Sequence, residues 1–562
     1  MSSMTPFLVF FLGAILVALT KGRLQSMVLL AIPVVGALNL YYLPADMTGG
    51  TMMFSYTLSW LRIDKLSILF GYLFHLAAFI GIIFSLNLRD TTQHVSGVLY
   101  AGSALGAVFA GDLITLFVFW ELLAVTSVFL ILARRTEKSQ QAAMRYLIIQ
   151  ITSGLILLAG VLLRVHETGS IAFGHIGLSG LSSWLIFIAF GIKCAFPFLH
   201  NWLTDAYPEA TPSGTVFLSS FTTKVAVFSL ARCFAGEEIL IYIGAVMAMF
   251  PIYFAVIEND LRRVLAYSLI NQIGFMVVGI GIGTALAVNG AVAHAFNDVV
   301  FKGLLMMSMG AVLYRTGTMK GSELGGLYKS MPKTATFCIV GAASISAFPL
   351  FSGFVSKSMV MVAALDEGYP IVWLALLFAS AGVFHHAGIK IPFFAFFAHD
   401  SGIRVKEAPR NMLIAMGLAA VICIFNGSYP WVLYSMLPFP VDYAPYTMAH
   451  VLTQSQLLFF SALAFCMLKL YNLYPPELRG INIDVEWAYR WLLPRATKGF
   501  VTLFAPIDQA CRALAVRRIE VLIARLYRHH GPHGVLAKSW PTGSTALWVA
   551  IVLGGLLLVY YF

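Results

Sequence analysis

The chain has 562 residues, of which 59% are hydrophobic and 11% are charged, and its formal net charge is +11. Soluble globular proteins are about 45–50% apolar and about 25% charged, so this composition excludes a soluble protein, a disordered chain and a conventional nucleic-acid binder. The apolar runs are long and unbroken, whereas membrane-spanning barrels alternate polar and apolar residues. The composition therefore predicts an all-α polytopic membrane protein.

The cysteines and the motif content predict no cofactor and no metal in this chain. The six cysteines are scattered without a CxxC pair, a spacing that supports neither an iron–sulfur cluster, nor a zinc site, nor a disulfide framework. A Walker loop and a dinucleotide-binding fingerprint are also absent from the sequence. Any energetic work must therefore be driven by an ion gradient or by a partner protein.

Apolar runs of membrane-spanning length recur along the whole chain. A spanning helix needs about 20 mostly apolar residues, and counting such runs predicts about 16 transmembrane helices. They lie near 5–20, 24–43, 66–88, 95–110, 112–133, 142–164, 183–200, 213–235, 238–257, 262–284, 287–314, 333–362, 371–398, 410–427, 452–474 and 543–562. The stretch 45–65 contains Gly-Gly and alternating apolar residues, which predicts a short hairpin outside the bilayer.

The distribution of Lys and Arg among the loops predicts the orientation of the chain. Placing the N-terminus outside puts the loop Lys and Arg on the inner side, as the positive-inside rule requires. The exception is the predicted inner loop 201–212, which carries Asp205 and Glu209 and no basic residue.

The C-terminal part of the chain differs from the rest. Residues 475–542 carry Arg repeatedly among Trp, Leu, Phe and Val. The part near 499–529 has the pattern of a basic amphipathic helix. We expect this helix to lie on the inner membrane face against anionic lipid, and contact with a neighbouring subunit is the alternative.

Several ionisable side chains lie inside the predicted spans. A Lys or Asp at the middle of a membrane helix costs about 2.5–3.5 kcal/mol, so these positions are informative. They are Glu121, Lys193, Lys224, His294, Asp298, Lys302, Lys357 and Lys390. Snorkelling of a long side chain to the interface is a reasonable alternative for Lys390 and competes evenly for Lys357. It accounts poorly for the first three residues taken together.

Helix-breaking residues accompany two of these lysines. Lys193 is followed by Pro197, and Lys357 is preceded by Pro349 and a Ser-Gly pair. Proline inside a span frees backbone carbonyls and kinks the helix. Broken helices at matching places in two halves are typical of ion-coupled transporters. A bare proline kink without function is the alternative, and two breaks that each lie near a lysine argue against it.

The chemistry of these side chains indicates proton transfer. Desolvation disfavours the charged form of a buried lysine, and a nearby carboxylate favours it. A Glu–Lys pair in a nearly dry interior therefore holds a proton when the two groups approach and releases it when they separate. His294, Asp298 and Lys302 recur every four residues on one helix face and can carry protons through intervening water. A polar stripe that only bonds neighbouring helices is the alternative.

Five segments within residues 60–430 include all of these ionisable residues except Lys390, and both helix breaks; in chain order they are GDLITLFVFWELLAVTS, GIKCAFPFLHNWLTDAYPEATPSGTVFLSSFTTKVAVFSLAR, YSLINQIGFM, HAFNDVVFKGLLMM and FPLFSGFVSK. Together, and in this order, they resemble the antiporter-like membrane subunits shared by Mrp-type Na⁺/H⁺ antiporters, respiratory complex I and membrane hydrogenases. The resemblance implies two inverted five-helix repeats with broken helices, each forming a half-channel. The implied domains are N-terminal helices and hairpin (1–94), a first half-channel (95–235), a second half-channel (238–427) and a C-terminal part with a span, the basic helix and a last span (428–562).

The resemblance also implies a role for each matching residue. Glu121 looks like the glutamate of a Glu–Lys pair, and Lys193 looks like its partner on the first broken helix. Lys224 looks like the lysine that links this pair toward the centre of the chain. His294 and Lys302 look like the central relay.

Further matches are accompanied by departures from the family pattern. Lys357 looks like the terminal lysine of the second broken helix, and His200 matches the histidine after the first break. Asp298 stands where the family often has a second histidine, and Thr204 stands where proline is usual. Lys390 matches no family role, so it is either an added titratable site or a snorkelling side chain at the pore edge.

The residues predict a transporter subunit that moves protons along a Glu/Lys/His axis at the membrane midplane. The resemblance alone implies that this subunit belongs to a multi-subunit Mrp-type Na⁺/H⁺ antiporter, with the D-type subunit favoured. We expect a multi-pass protein of the inner (plasma) membrane that works with other membrane subunits. Whether Na⁺ crosses this chain stays open, because the spans hold no clear carboxylate-rich cage. The main alternative is a proton-pumping subunit of a complex I-like NADH:quinone oxidoreductase or membrane hydrogenase, with no redox centre of its own. The second alternative is a non-conducting membrane scaffold.

Overall fold

The computed structural model describes residues 4–44, 46–53, 56–478, 480, 482–538 and 541–562. Within these residues nearly all regular structure is helical, which confirms the predicted all-α class. The chain divides into two compact units, Met1–Asn482 and Ile483–Phe562.

The first unit begins with two apolar helices and a β-hairpin. Helices α1 and α2 comprise Pro6–Leu19 and Gly22–Tyr42. Strands β1 (Thr48–Met53) and β2 (Tyr56–Arg62) pair in an antiparallel ladder. The hairpin predicted within 45–65 is therefore present, and residues 45, 54 and 55 of that prediction lie outside the described residues.

Helices α3 to α10 follow the hairpin. They are Lys65–Ser85, Thr91–Phe109, Leu113–Leu132, Glu137–Thr168, Leu181–Cys194, Asn201–Ala206, Gly214–Ser220 and Thr222–Cys233. Aspartate side chains cap the first three of these helices. Asp64, Asp90 and Asp112 each accept a hydrogen bond from a backbone N–H of the first turn, which fixes where the apolar run becomes helical.

Helices α11 to α19 complete the first unit. They are Glu238–Ile257, Leu261–Ile282, Ala285–Thr316, Pro332–Ile345, Ser352–Asp366, Pro370–Val383, Arg410–Ser428, Trp431–Ser435 and Met448–Leu470. Helix α16 continues into two π-helical segments, Phe384–Lys390 and Phe393–Phe397. Helices α12 and α13 are buried along almost their whole length, so their polar side chains need partners inside the protein.

The second unit contains two long helices, α20 (Leu493–His530) and α21 (Thr542–Tyr561). Neither helix has a buried residue. A helix is therefore present over the predicted basic segment 499–529, and the other described residues of its own unit bury neither its apolar nor its basic side chains.

The number of membrane-spanning helices differs from the sequence count. Among the described residues, 13 helices are long and apolar enough to cross a membrane by length and composition, and α20 is one of them. Four predicted spans are missing from that set because their helices are short, interrupted or less apolar; they lie near 5–20, 95–110, 183–200 and 333–362. The total of about 16 spans stays a prediction.

The acidic exception to the positive-inside pattern has a local explanation. The helix predicted over 183–200 ends earlier, at Cys194. After this interruption the chain becomes helical again, so that residues 201–206 form helix α8 where a loop was predicted. Arg145 of α6 donates two hydrogen bonds to Asp205, at 2.6 and 3.1 Å. Arg134 lies 3.3 Å from the Glu209 carboxylate. Both acidic residues are thus neutralised by arginines from preceding elements.

Arg262, at the start of α12, joins two distant parts of the first unit. Its side chain is fully buried and makes five hydrogen bonds of 3.0–3.4 Å to backbone carbonyls. The acceptors are the carbonyl groups of Tyr207, Pro208, Ala210 and Thr211. Because hydrogen bonds to a charged donor contribute about 1.5–3 kcal/mol each, this contact holds the segment after α8 against α12.

We expect Arg262→Met to lower the free energy of unfolding by at least about 3 kcal/mol, because several buried carbonyls lose their donor. The thermal midpoint of the detergent-solubilised protein measures the effect. Arg135→Met is the matched control, since the Arg135 side chain is 78% exposed. Equal midpoints for the two variants would contradict this role of Arg262.

Candidate functional site

Two interrupted helices share the same backbone geometry. Between α7 and α8, Ala195 and Phe198 have φ angles of 62° and 68°. Between α14 and α15, Ala347 and Leu350 have φ angles of 58° and 72°. Each interruption is an Ala-Phe-Pro run followed by an apolar residue, with the left-handed residues three apart. The prolines were sufficient to predict the breaks, but the repeated tripeptide was the stronger signal and was missed.

Glu121 on α5 and Lys193 at the end of α7 lie within electrostatic range of one another. Lys193 is fully buried, its Nζ donates to the carbonyl of Trp120, and it lies 4.5 Å from the centre of the Trp120 ring. The Oε1 atom of Glu121 has no hydrogen-bond partner among the described residues. The carboxyl group rests against Gly154 of α6, where a built Cβ atom would overlap Oε1.

Lys224 and Asp298 form a fully buried ion pair. The Lys224 Nζ lies 2.6 Å from Asp298 Oδ2, and both side chains have no exposed surface. The same Nζ donates to the Ser219 carbonyl at 3.1 Å, at the irregular turn that separates α9 from α10. The pair joins α10 to α13. Asp298 therefore faces Lys224 and is the partner of a lysine from an earlier part of the chain.

His294 lies one turn before Asp298 on α13 and is bonded on both sides of its ring. Its Nδ1 is 3.0 Å from the Ser356 hydroxyl on α15, and its Nε2 is 3.2 Å from the Gln272 side-chain oxygen on α12. The ring is fully buried. His294 thus connects α12, α13 and α15.

Lys302 and Lys357 are the remaining buried lysines of this region. The Lys302 Nζ donates to the Ser268 hydroxyl at 2.8 Å. The Lys357 Nζ donates to the Ile345 carbonyl at 2.7 Å, at the end of α14, and lies 5.1 Å from the centre of the Phe275 ring. Neither lysine is a snorkelling side chain, because both are buried inside the protein.

The central charges act on one another as a single cluster. His294 lies within electrostatic range of three lysines, Lys224, Lys302 and Lys357. Asp298 is the carboxylate that acts on Lys302 and on Lys357. Lys224 also acts on Cys194, the residue after Lys193, so the cluster reaches toward the first interrupted helix. The structure thus brings together the predicted residues from both halves of the chain.

Two predicted residues lie beside this row. His200 is buried after the first interruption, with its ring 4.7 Å from the Phe250 ring. Lys390 is also buried, and its Nζ pairs with Glu477 at 3.0 Å. The snorkelling interpretation of Lys390 is wrong, because its ammonium group is enclosed by backbone carbonyls and a carboxylate.

Ser268 and Gln272 were missed as individual residues, although their segment YSLINQIGFM was recognised. They lie four residues apart on α12 and contact Lys302 and His294, which lie eight apart on α13. The sequence signal that could have identified them is that Ser268 and Gln272 lie four residues apart, on one helix face, as do the polar residues of the stripe on α13. Within the described parts of the chain, no three His, Cys, Asp or Glu side chains are placed to hold a metal ion.

Comparison with known proteins identifies a family segment in the chain. Residues 110–384 match the family described as "NADH:quinone oxidoreductase/Mrp antiporter, TM". This match includes every site residue of the central cluster and the Glu121–Lys193 pair. The predicted resemblance to antiporter-like membrane subunits is therefore confirmed.

The chain is similar to components of several membrane complexes. It is 30% identical over 454 residues to the A-type subunit of the Na⁺/H⁺ antiporter of Alkalihalophilus pseudofirmus, covering 70% of this chain and 56% of that protein. It is 28% identical to hydrogenase-4 component B of Escherichia coli, covering 55% and 52%. It is 26% identical to the D-type subunit of the Na⁺/H⁺ antiporter of Bacillus subtilis, covering 60% and 71%. The chain thus spans about half the length of the first two of these relatives.

A solved structure has the same fold over most of the chain. The Mrp complex from Dietzia contains a chain that superposes with a TM-score of 0.76 and 25% identity, covering 94% of this chain and 62% of that one. The antiporter-like membrane fold predicted from the sequence is therefore confirmed.

We expect Gly154→Ala to displace the Glu121 carboxyl group, because the added methyl group occupies the position of Oε1. If Glu121 takes part in transport, this variant slows proton movement in vesicles that contain the assembled protein. Gly303→Ala is the matched control, since its added Cβ atom has no neighbour within 4 Å on helix α13. Equal rates for the two variants would show that the position of Glu121 is unimportant.

Proposed function

We propose that this chain is the proton-translocating subunit of a multi-subunit Mrp-type Na⁺/H⁺ antiporter. The observation that carries the proposal is the fully buried ion pair between Lys224 and Asp298, which lies among His294, Lys302 and Lys357. Charged groups in a membrane interior are costly and occur at sites of ion or proton transfer. The family match over residues 110–384 supports the same function.

The proposed path begins at Glu121 and Lys193 and continues through Lys224 into the central cluster. A proton on Lys193 is held more tightly when the Glu121 carboxylate approaches and is released when it withdraws. Such a movement is supported by two observations on Glu121: its Oε1 has no hydrogen-bond partner among the described residues, and its carboxyl group is packed against Gly154, which has no side chain to hold it.

The second half of the path runs from Lys224 to Lys357. Asp298 can stabilise a proton on Lys224 or act on the lysines beyond it, so its charge couples their occupancy. His294 accepts or donates at either ring nitrogen, since its two bonds are to Ser356 and Gln272. Lys357 then forms the end of the row at the second interrupted helix.

We infer that the protein works in the plasma membrane with other membrane subunits and with its N-terminus outside. The similarity to the Mrp complex and to the A-type and D-type antiporter subunits supports a hetero-oligomer. We retain the D-type position for this chain. The described part of the site offers no oxygen cage around a cation, so the proposal assigns Na⁺ movement to a different component of the assembly.

A redox-driven proton pump is the second candidate function. It is favoured by the similarity to hydrogenase-4 component B and by the family match shared with NADH:quinone oxidoreductases. The same row would then be driven by a redox partner. Co-purification of the native assembly separates the two candidates: a flavin or iron–sulfur partner indicates the pump, and small multi-span partners alone indicate the antiporter.

We also propose that α20 binds anionic lipid through its basic face. Three arginines line one concave surface together with apolar side chains; they are Arg517, Arg518 and Arg525. An uncovered helix with apolar and cationic side chains is suited to the lipid headgroup region.

We expect simultaneous substitution of Arg517, Arg518 and Arg525 by Gln to weaken anionic-lipid binding by about 100-fold, at about 1 kcal/mol per charge. Lipid analysis of the purified assembly measures this as loss of co-purified phosphatidylglycerol. Arg512→Gln is the control, because Arg512 is already paired with Asp508 at 2.8 Å. Loss of a partner protein with lipid content unchanged would instead indicate a protein contact.

We expect Lys224→Ala to abolish coupled Na⁺/H⁺ exchange in everted vesicles, because the central link of the row is removed. Since the substitution leaves Asp298 buried without its partner, a double variant with Asp298→Asn keeps the site neutral. Assembly is checked by co-purification of the partner subunits. Normal exchange by the assembled variants would remove Lys224 from the path and favour the scaffold alternative. A growth test addresses the same alternative: normal growth of Glu121→Ala and Lys193→Ala strains at high Na⁺ and alkaline pH would also favour a scaffold.

A further inference from the structure

The π-helical continuation of α16 lies beside the central cluster without belonging to the predicted row. The segment Phe384–Lys390 packs against α11, α12, α14 and α19. Its residue Gly388 approaches Ser346 at the second helix interruption so closely that a Cβ atom would overlap the Ser346 hydroxyl. π-helical turns are rare and occur mostly at functional sites. The segment carries two adjacent histidines and Lys390.

His386 is a fully buried imidazole in this segment. Among the residues that the structure describes, neither ring nitrogen has a hydrogen-bond partner of ordinary geometry, although the Gly382 carbonyl lies nearby one turn earlier. The titratable groups that act on the ring are Lys302, His385 and Lys390. Since buried polar groups are rarely left unpaired without a function, a proton acceptor in this position requires an explanation.

Lys390, which acts on the His386 ring, forms a buried charged pair with Glu477. The Lys390 Nζ donates to the carbonyls of Val256 and Glu258, both at 2.7 Å, and pairs with Glu477 at 3.0 Å. These carbonyls end helix α11, where the helix dipole favours a cation. The position of the Lys390 ammonium group is therefore set by these carbonyls and by Glu477. Glu477 follows helix α19 outside the spans, and burial raises the pKa of its carboxyl group while Lys390 opposes the rise.

The Glu477 carboxyl group is linked to the surface around Arg263, where the loop between α11 and α12 meets the first turn of α12; we call this surface the basic-loop face. The carboxyl group acts on Glu258, whose Oε2 accepts a hydrogen bond from Asn482 at 3.1 Å and lies 4.0 Å from Arg263. Glu477 also retains some exposed surface, with 7% of its side chain accessible. A proton that reaches the Glu477 carboxylate is thus close to the basic-loop face.

We propose that His386 is a proton relay that connects Lys302 to Glu477 and gives the central row an outlet at the basic-loop face. A proton leaves the Lys302 ammonium and binds one ring nitrogen of His386, so that Lys302 becomes a neutral amine. The other ring nitrogen then releases a proton, directly or through water, to the Glu477 carboxylate, which becomes a carboxylic acid and later loses the proton to bulk water. This outlet rests on the proposed function.

The test measures proton movement by the whole assembly in vesicles. We expect His386→Asn to slow exchange about tenfold or more, the loss that removal of a positioned proton-transfer group causes. Glu477→Gln is expected to slow exchange similarly, and the double variant no further, because both residues lie on one path. His75→Asn is the matched control, since His75 is buried on α3 and bonded to the Gly71 carbonyl at 2.7 Å.

Each outcome has a separate meaning. Wild-type rates in both single variants, or losses that multiply in the double variant, overturn the outlet even when Lys224→Ala abolishes exchange. Normal exchange by Lys224→Ala overturns the proposed function and the outlet with it. If His386→Asn reduces assembly, His386→Gln is measured in its place. The exchange rate of Glu477→Gln tests the outlet independently of either histidine variant.

Discussion

The ion pair between Lys224 and Asp298 is the interaction on which the rest of the site depends. Taking two charges out of water costs several kcal/mol for each ion, and their attraction offsets this cost only at close range. The separation of 2.6 Å satisfies that condition. Losing one partner of such a pair costs about 3–5 kcal/mol, because the other charge is left buried alone. Helices α10 and α13 are therefore fixed to one another by chemistry as well as by packing.

The pair also limits how many protons the central cluster can hold. Three buried lysines are influenced by one carboxylate, Asp298, and all three lysines act on His294. Like charges repel one another more strongly in a protein interior than in water. Because one carboxylate serves all three lysines, protonating every one of them leaves uncompensated positive charge and is disfavoured. Protonation at one position lowers the tendency to protonate the next, which is a basic requirement for passing a proton along a row.

Much of the site could be predicted because an ionisable residue in a membrane span is conspicuous. Glu121, Lys193 and Lys224 were identified by that cost alone, and the breaks followed from proline chemistry. The partners could not be predicted in the same way. Periodicity placed Asp298 on a stripe with His294 and Lys302, but its nearest charge comes from α10, which a one-dimensional pattern does not position.

The remaining differences have similar physical causes. Lys390 has the long side chain that can snorkel, but its ammonium group is enclosed by the backbone carbonyls that end α11 and by the carboxylate of the distant Glu477. The helix boundaries within 183–212 were wrong because residues after the interruption resume a helix whose acidic side chain is paired with Arg145. Sequence patterns report local preferences, whereas these contacts join residues far apart in the chain.

The two Ala-Phe-Pro interruptions have a mechanical consequence. Left-handed backbone at a residue other than glycine costs roughly 1–3 kcal/mol, and each interruption contains two such residues. The intact helices on either side resist bending, because bending them breaks hydrogen bonds. The interruptions have already given up those bonds, so they can act as hinges. Each half-helix can then rotate about a joint that lies beside a lysine, without unwinding any turn.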